Sequence, residues 1–221
     1  MAELSYLNKR FLCHINKDRV RVIAECGSRD GLDAIALYKY YYPAKVYVFE
    51  CNPEAIPLCR ENLKDYPDIK LIEKAVYDRN GIVDFFAVDM EKSTDKNIGA
   101  SSMLWHRDNT VELFQKKIQV EAIRLDTFMQ QEGLDKIDLI CMDLQGAELT
   151  TLDGMGTKIN KTSYIITEVV FEHFYKGDYL FDDVKQYMLK KGFNFVICNG
   201  FIKNRHTGFT DCLFRREGRY D

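Results

Sequence analysis

None of the seven cysteines lies in a CxxC pair, and the four histidines (His14, His106, His173, His206) form no HExxH or similar couple, which argues against a structural zinc site. There is no basic stripe: 31 Lys and Arg against 34 Asp and Glu leave a formal net charge of −3, which speaks against a nucleic-acid partner. The longest apolar runs, such as residues 137–144, are too short and interrupted to span a bilayer, so no membrane insertion is expected. The polar, mixed N-terminus MAELSYLNKRFLCHINKDR lacks the apolar stretch of a secretory signal. No Pro-, Gly- or Ser-rich linker and no internal repeat divides the 221 residues, and all four prolines fall before residue 70, so a single domain is expected over 1–221. Cys26, Cys51, Cys141, Cys198 and Cys212 sit in or beside apolar segments, which reads as reduced, mostly buried thiols in a cytoplasmic protein.

What is present is an alternation. Residues 1–18 read as an N-terminal arm or short helix. RVRVIAE (19–25) reads as a strand, LDAIALYKYYY (32–42) as a helix stopped by Pro43, and KVYVFE (45–50) as a second strand. A helix over 53–66 follows, with Asn52 as N-cap and Pro53 in its first turn, then a third strand over 69–76. Strands alternating with helices predict parallel pairing with crossover helices. The rhythm breaks over 81–125, where GIVDFFAVD (81–89) and KIQVEAIRL (117–125) flank a long polar loop; this reads as an inserted antiparallel hairpin with a functional loop holding Trp105 and His106 as a substrate lid. Alternation resumes with helix 125–134, strand 137–143, helix 147–155, strand 163–170 and helix 181–192. Strands 193–199 and 210–216 are joined too closely for a crossover, so they should pair antiparallel. The fold class expected is α/β: a Rossmann-like, seven-stranded, mostly parallel sheet with an antiparallel C-terminal pair.

The stretch ECGSRDG (25–31) follows the first strand, where a doubly wound sheet binds nucleotides. It offers Gly27 and Gly31 but not the third glycine of GxGxxG, and Glu25 at its mouth would repel a pyrophosphate. S-adenosylmethionine has no phosphate; its ammonium and sulfonium suit an acid there. Glu50, 19 residues beyond Gly31 (50 − 31), ends the second strand, where a carboxylate can accept both ribose hydroxyls.

These residues, with those that follow, resemble the FkbM family of S-adenosylmethionine-dependent methyltransferases. The family's acid and glycines after the first strand match Glu25, Gly27 and Gly31; its Glu-Asn-Pro-like turn matches Glu50-Cys51-Asn52-Pro53. Lys74-Ala75-Val76, the Gly-x-Ser-Ser loop Gly99-Ala100-Ser101-Ser102 and Leu125-Asp126 also match, and the most specific piece is Asp143-Leu144-Gln145-Gly146-Ala147-Glu148. The strand ending in Glu168 matches the family's isoleucine-glutamate strand. Departures are Arg29 where Asn is usual, Gln145 for Glu, and Met142 for Lys. The resemblance, over roughly residues 20 to 200, implies S-adenosylmethionine bound by Glu25, Gly27, Ser28, Arg29, Gly31, Glu50, Cys51, Asn52, Ala75, Val76, Ser102, Asp143, Leu144 and Gln145.

Methyl transfer from a sulfonium needs an oriented acceptor and a destination for its proton. Asp143 and Glu168, ending neighbouring strands, admit three readings: ligands of Mg²⁺ or Mn²⁺, as at the same strand ends of catechol-type enzymes; a metal-free base at Asp143; or a helix cap and a structural acid. His173, in EVVFEHFYKGDYLF, is a further candidate base or a surface histidine, and Phe174, Tyr175 and Tyr179 could face a sugar ring. The function expected is O-methylation of a sugar or glycan hydroxyl, for example on a deoxyhexose such as rhamnose, or else of a polyketide or other small molecule. Readings from other classes are a nicotinamide-dependent oxidoreductase and a non-catalytic binding module.

Overall fold

The computed structural model describes residues 5–108, 112–199 and 208–218. Its centre is a seven-stranded sheet. Five neighbouring strands run parallel, the first four being β1 (Val22–Cys26), β2 (Lys45–Phe49), β3 (Ile69–Ile72) and, across β1 from β2, the later strand Leu139–Met142, which pairs in turn with the fifth, Tyr164–Val170. Between β3 and Leu139–Met142 the chain lays down a second, three-stranded sheet of β4 (Ala75–Val76), β5 (Gly81–Val88) and β6 (Gln115–Ile123), so Leu139–Met142 is β7. The main sheet continues with β8 (Tyr164–Val170), β9 (Phe193–Cys198) and β10 (Phe209–Arg216), in the order β3-β2-β1-β7-β8-β10-β9. β10 inserts between β8 and β9 and is antiparallel to both.

The helices are α1 (Lys9–Leu12), α2 (Leu32–Tyr41), α3 (Ile56–Leu63), α4 (Leu125–Gln131), α5 (Glu148–Asp153) and α6 (Phe181–Lys190). They cover both faces of the main sheet, which is why β7 reads as an unbroken apolar run and is buried at all four positions. One face packs Ala24, Met142 and Ile165 against Phe128, Leu152 and Met188. The other packs Ile23, Leu139 and Ile166 against Leu37, Tyr41 and the N-terminal arm through Tyr6 and Phe11. Among the described residues no helix is long and apolar enough to cross a membrane.

The expected strands and helices are present, with three differences. The third strand divides: after β3 the chain leaves the main sheet and Ala75–Val76 pairs parallel with Ala122–Ile123 of β6. The helix expected over 53–66 begins at Ile56, because Asn52 instead caps a preceding turn, its Oδ1 accepting from Glu54 N at 3.1 Å. The cysteines are not all reduced: Cys198 and Cys212 face each other across β9 and β10 and are joined by a disulfide, while Cys26, Cys59 and Cys141 are free and buried. The expected short connection of β9 and β10, over 200–207, lies outside the described residues.

Candidate active site

At the carboxyl edge of β1 and β2 lies a cavity of about 350 Å³, bounded by the loop after each strand, by β4 and by the insertion. Its size suits a small organic molecule. The 27–31 loop turns tightly on two left-handed glycines, Gly27 at φ +82° and Gly31 at φ +78°. Gly27 has no alternative, because a Cβ there would lie 2.1 Å from the Asp143 carbonyl oxygen. Arg29 also takes positive φ, +58°, a cost that non-glycine residues bear mainly at functional loops.

Two acids organise this end. Glu25 is 1% exposed and accepts from Ser28 Oγ at 2.8 Å; burial pushes its carboxyl well above the ordinary range. Glu50 joins both cofactor-side loops: one oxygen accepts from Arg29 N at 2.7 Å, the other from Cys51 N at 2.8 Å and Asn52 N at 2.7 Å. A carboxylate has about four acceptor sites, so roughly one is left for a ribose hydroxyl rather than the two expected. Burial raises the Glu50 carboxyl despite these three bonds.

The insertion closes the cavity from above. Ser101 Oγ takes a bond from Asn52 Nδ2 at 3.1 Å, and Ser102 Oγ donates to Gln145 O at 2.8 Å, so the Gly-Ala-Ser-Ser loop ties the second-strand turn to the segment after β7. Trp105 and His106 do not lie free as a lid. Trp105 packs edge-on against Phe86 and His106 against Tyr175, while Arg107 N donates to Phe174 O and Lys176 N to Trp105 O. The insertion is thereby latched onto the loop after β8.

Beyond the cavity a row of carboxylates crosses three strands. Asp143 follows Met142, whose register partner on β8 is Thr167, so Asp143 stands level with Glu168; Asp211 of β10 pairs directly with Glu168. Asp143 and Glu168 are close enough to share a proton. Burial first, and then the negative charge of Asp143, push the Glu168 carboxyl far above its usual range. Asp211 is pushed up to about 6, chiefly by burial and then by Asp143. Gln145, at φ +52°, donates from Nε2 to Asp143 Oδ1 at 2.6 Å and to Glu168 Oε2 at 3.0 Å. A hard cation takes oxygen ligands, and here an amide N–H points between the two carboxylates. As arranged, the pair does not fit Mg²⁺ or Mn²⁺, and among the described residues no group of three or more His, Cys, Asp or Glu converges on a metal position.

Of the residues expected to bind cofactor, Glu25, Gly27, Ser28, Arg29, Glu50, Cys51, Asn52, Ala75, Val76, Ser102, Asp143 and Leu144 line the cavity. Gly31 does not; it starts α2 and packs toward Leu63. Gln145 lies behind Asp143, and Glu168 and His173 stand outside the lining. His173 is held by Asp178, its Nδ1 2.5 Å from Oδ1 of that buried acid, which also accepts from Phe174 N and Tyr175 N. Tyr175 is no stacking platform: it is 4% exposed, and its hydroxyl lies 2.9 Å from both Ala100 O and Gln145 Oε1. Sequence reasoning missed Asp178, Asp211, Asp33 and Tyr6, the last two lining the cavity. Only Asp33 carried a signal, an acid in the first helical turn, two residues beyond Gly31.

A family model described as the methyltransferase FkbM domain matches residues 25–195. The 2-O-methyltransferase NoeI of Sinorhizobium fredii (strain NBRC 101917 / NGR234) is 34% identical over 160 residues, 71% of this chain and 66% of that protein, so the match spans just under two thirds of that relative. Among solved structures, the fibrillarin pre-rRNA processing protein of Methanococcus jannaschii aligns at a TM-score of 0.56 and 12% identity, covering 93% of this chain and 70% of that one. Magnesium protoporphyrin IX methyltransferase (ChlM) from Synechocystis PCC 6803 with bound SAH aligns at 0.52 and 9% identity, covering 94% and 78%. At these identities the two structures speak for the fold alone, the Rossmann-like α/β arrangement expected from the sequence.

Proposed function

The chain belongs to the FkbM methyltransferase family, and from that premise we propose that it transfers methyl from S-adenosylmethionine to a hydroxyl of a sugar or glycan acceptor. The observation that carries this reading is the cavity at the carboxyl edge, whose wall brings Glu25, Glu50 and Asp143 together. Its acids suit a cationic, phosphate-free nucleoside better than a nicotinamide dinucleotide. The name of the relative NoeI, a 2-O-methyltransferase, supports oxygen as the acceptor atom. A sugar, with a deoxyhexose such as rhamnose as the first choice, suits a rim rich in acids; a polyketide hydroxyl is the second reading.

Bound S-adenosylmethionine supplies a methyl group already activated on a sulfonium. Glu50 receives a ribose hydroxyl, and Glu25 sets the negative potential for the ammonium. Asp143, in the cavity wall, would accept the acceptor hydroxyl's proton as that oxygen takes the methyl group the bound sulfonium would supply. Glu168 keeps the pair's shared proton, which leaves Asp143 as the anionic member. His173, oriented by Asp178, is the second candidate base and stands farther from the cavity lining.

The test is titration with S-adenosylhomocysteine, followed by product release with rhamnose, fucose and other deoxyhexoses as acceptors. Wild type should bind, Glu50→Ala should not, and mass spectrometry should place the new methyl on oxygen. Asp143→Asn should lower kcat by about a hundredfold or more, and His173→Ala by less than about tenfold. Absence of S-adenosylhomocysteine binding by wild type would sink the cofactor reading. The reverse order of the two variants would make His173 the base.

A further inference from the structure

The arm that precedes the family domain reaches into the cavity. Asn8 caps α1 through Arg10 N at 2.9 Å, and its Nδ2 donates to Asn199 Oδ1 at 2.7 Å, at the end of β9. Phe11 is fully buried, and Asn16 N donates to the Tyr164 hydroxyl at 3.1 Å. Pinned at these points, the arm places Tyr6 at 4% exposure with its side chain among the cavity-lining residues. Its ring belongs to the core on that face of the sheet, and its hydroxyl has no hydrogen-bond partner among the described residues. The charged groups that act on it are Asp143, Glu25 and Asp211.

An amino-acid ligand end brings both an ammonium and a carboxylate to this region. The acids suit the ammonium; the carboxylate needs a donor. The glycine loop, the usual source, has none to spare. Gly27 N and Ser28 N both donate to Phe49 O, Asp30 N and Gly31 N both donate to Ser28 O, and Arg29 N donates to Glu50. Ser28 Oγ is committed to Glu25, Asp143 N to Cys26 O and Leu144 N to Glu148. The Arg29 guanidinium is turned to Asp30 at 3.1 Å on the exposed side of the loop. Burial holds the Tyr6 phenol protonated, so its O–H remains a donor.

We propose that Tyr6 is a cofactor-binding residue supplied from outside the family domain, donating its hydroxyl to the methionine carboxylate of S-adenosylmethionine while the surrounding acids take the ammonium. This rests on the cofactor reading above. It also gives the arm a purpose: the turn over residues 5–7 is the inner wall of the methionine pocket.

The experiment is calorimetric titration of the full chain and its Tyr6→Phe variant with two probes, S-adenosylhomocysteine and 5′-methylthioadenosine, which lacks the amino-acid end. Tyr6→Phe keeps the ring and its packing. It should weaken S-adenosylhomocysteine by about tenfold or more, the loss of one hydrogen bond to a charged group, and leave 5′-methylthioadenosine unchanged. Equal binding of S-adenosylhomocysteine by both proteins overturns the inference, as does equal weakening of both probes, which would make Tyr6 a packing residue. If the wild-type chain binds neither probe, the cofactor reading itself falls and this inference falls with it.

Discussion

Single residues set the geometry of the cofactor end. Gly27 lies where β1 passes closest to the segment after β7, with φ +82° and no room for a methyl group against the Asp143 carbonyl. Gly27→Ala must therefore part the two strands at the cavity floor. The expected cost is about 3 kcal/mol or more, with loss of S-adenosylhomocysteine binding, read by urea denaturation and titration. A wild-type denaturation midpoint would show that the loop relaxes freely and that its tight turn is not required. Gln145 makes the complementary case. It holds a left-handed conformation that glycine would adopt without strain, yet its amide joins Asp143 to Glu168. Strain kept where a smaller residue would relieve it indicates that the side chain is needed there.

At the scale of elements, the segment between β7 and α5 is held by its own first helical turn. Glu148 is 6% exposed, and one of its oxygens accepts from Leu144 N at 2.8 Å and Gly146 N at 3.2 Å. Burial pushes its carboxyl up to about 7, so the folded protein binds this proton more tightly than the unfolded chain. Its contribution is complete below the unfolded carboxyl range and is lost as pH rises through about 7. Glu148→Gln keeps an acceptor oxygen for both amides and removes the ionisation. The variant should match wild type near pH 5 and exceed it by about 2 kcal/mol near pH 8, in denaturation curves at both values. A constant difference between the two proteins across that range would refute the assignment.

The same scale explains what was legible. Periodicity located the strands because β1, β2, β7 and β8 are covered on both faces and leave continuous apolar runs. It could not place Ala75–Val76 in the second sheet, since that depends on a partner, β6, some 47 residues later (122 − 75). Nor could it pair Cys198 with Cys212, which face each other only once β10 has inserted beside β9. The glycine loop, Glu25 and Glu50 were readable because their spacing is local. Asp178 was not, because no spacing rule marks an acid that folds back on His173, Phe174 and Tyr175 three to five residues before it; Tyr6 was not, because it meets the cavity wall only through packing against distant segments.

Over the whole molecule, the carboxyl edge gathers more buried acid than one ammonium and one sulfonium require. Glu25, Glu50, Asp143, Glu168 and Asp211 all have raised carboxyls, with burial as the first cause of each. Each carboxyl therefore holds its proton to a higher pH than a free one, with Glu168 rather than Asp143 keeping the proton of that pair, and each contributes stability at low pH that fades as pH passes its folded value, about 6 for Asp211. A cation entering this field favours the ionised forms and lowers those values, so binding must release protons. S-adenosylmethionine should thus bind with proton release near pH 7, visible as a dependence of the titration heat on the buffer's ionisation enthalpy. The release should be larger than with S-adenosylhomocysteine, whose sulfur is neutral, and the affinity ratio of the two should rise with pH. Heats independent of buffer would mean that the acids are already ionised in the empty protein. The proton shared between Asp143 and Glu168, and with it the reading that Glu168 keeps it, would then have to be given up.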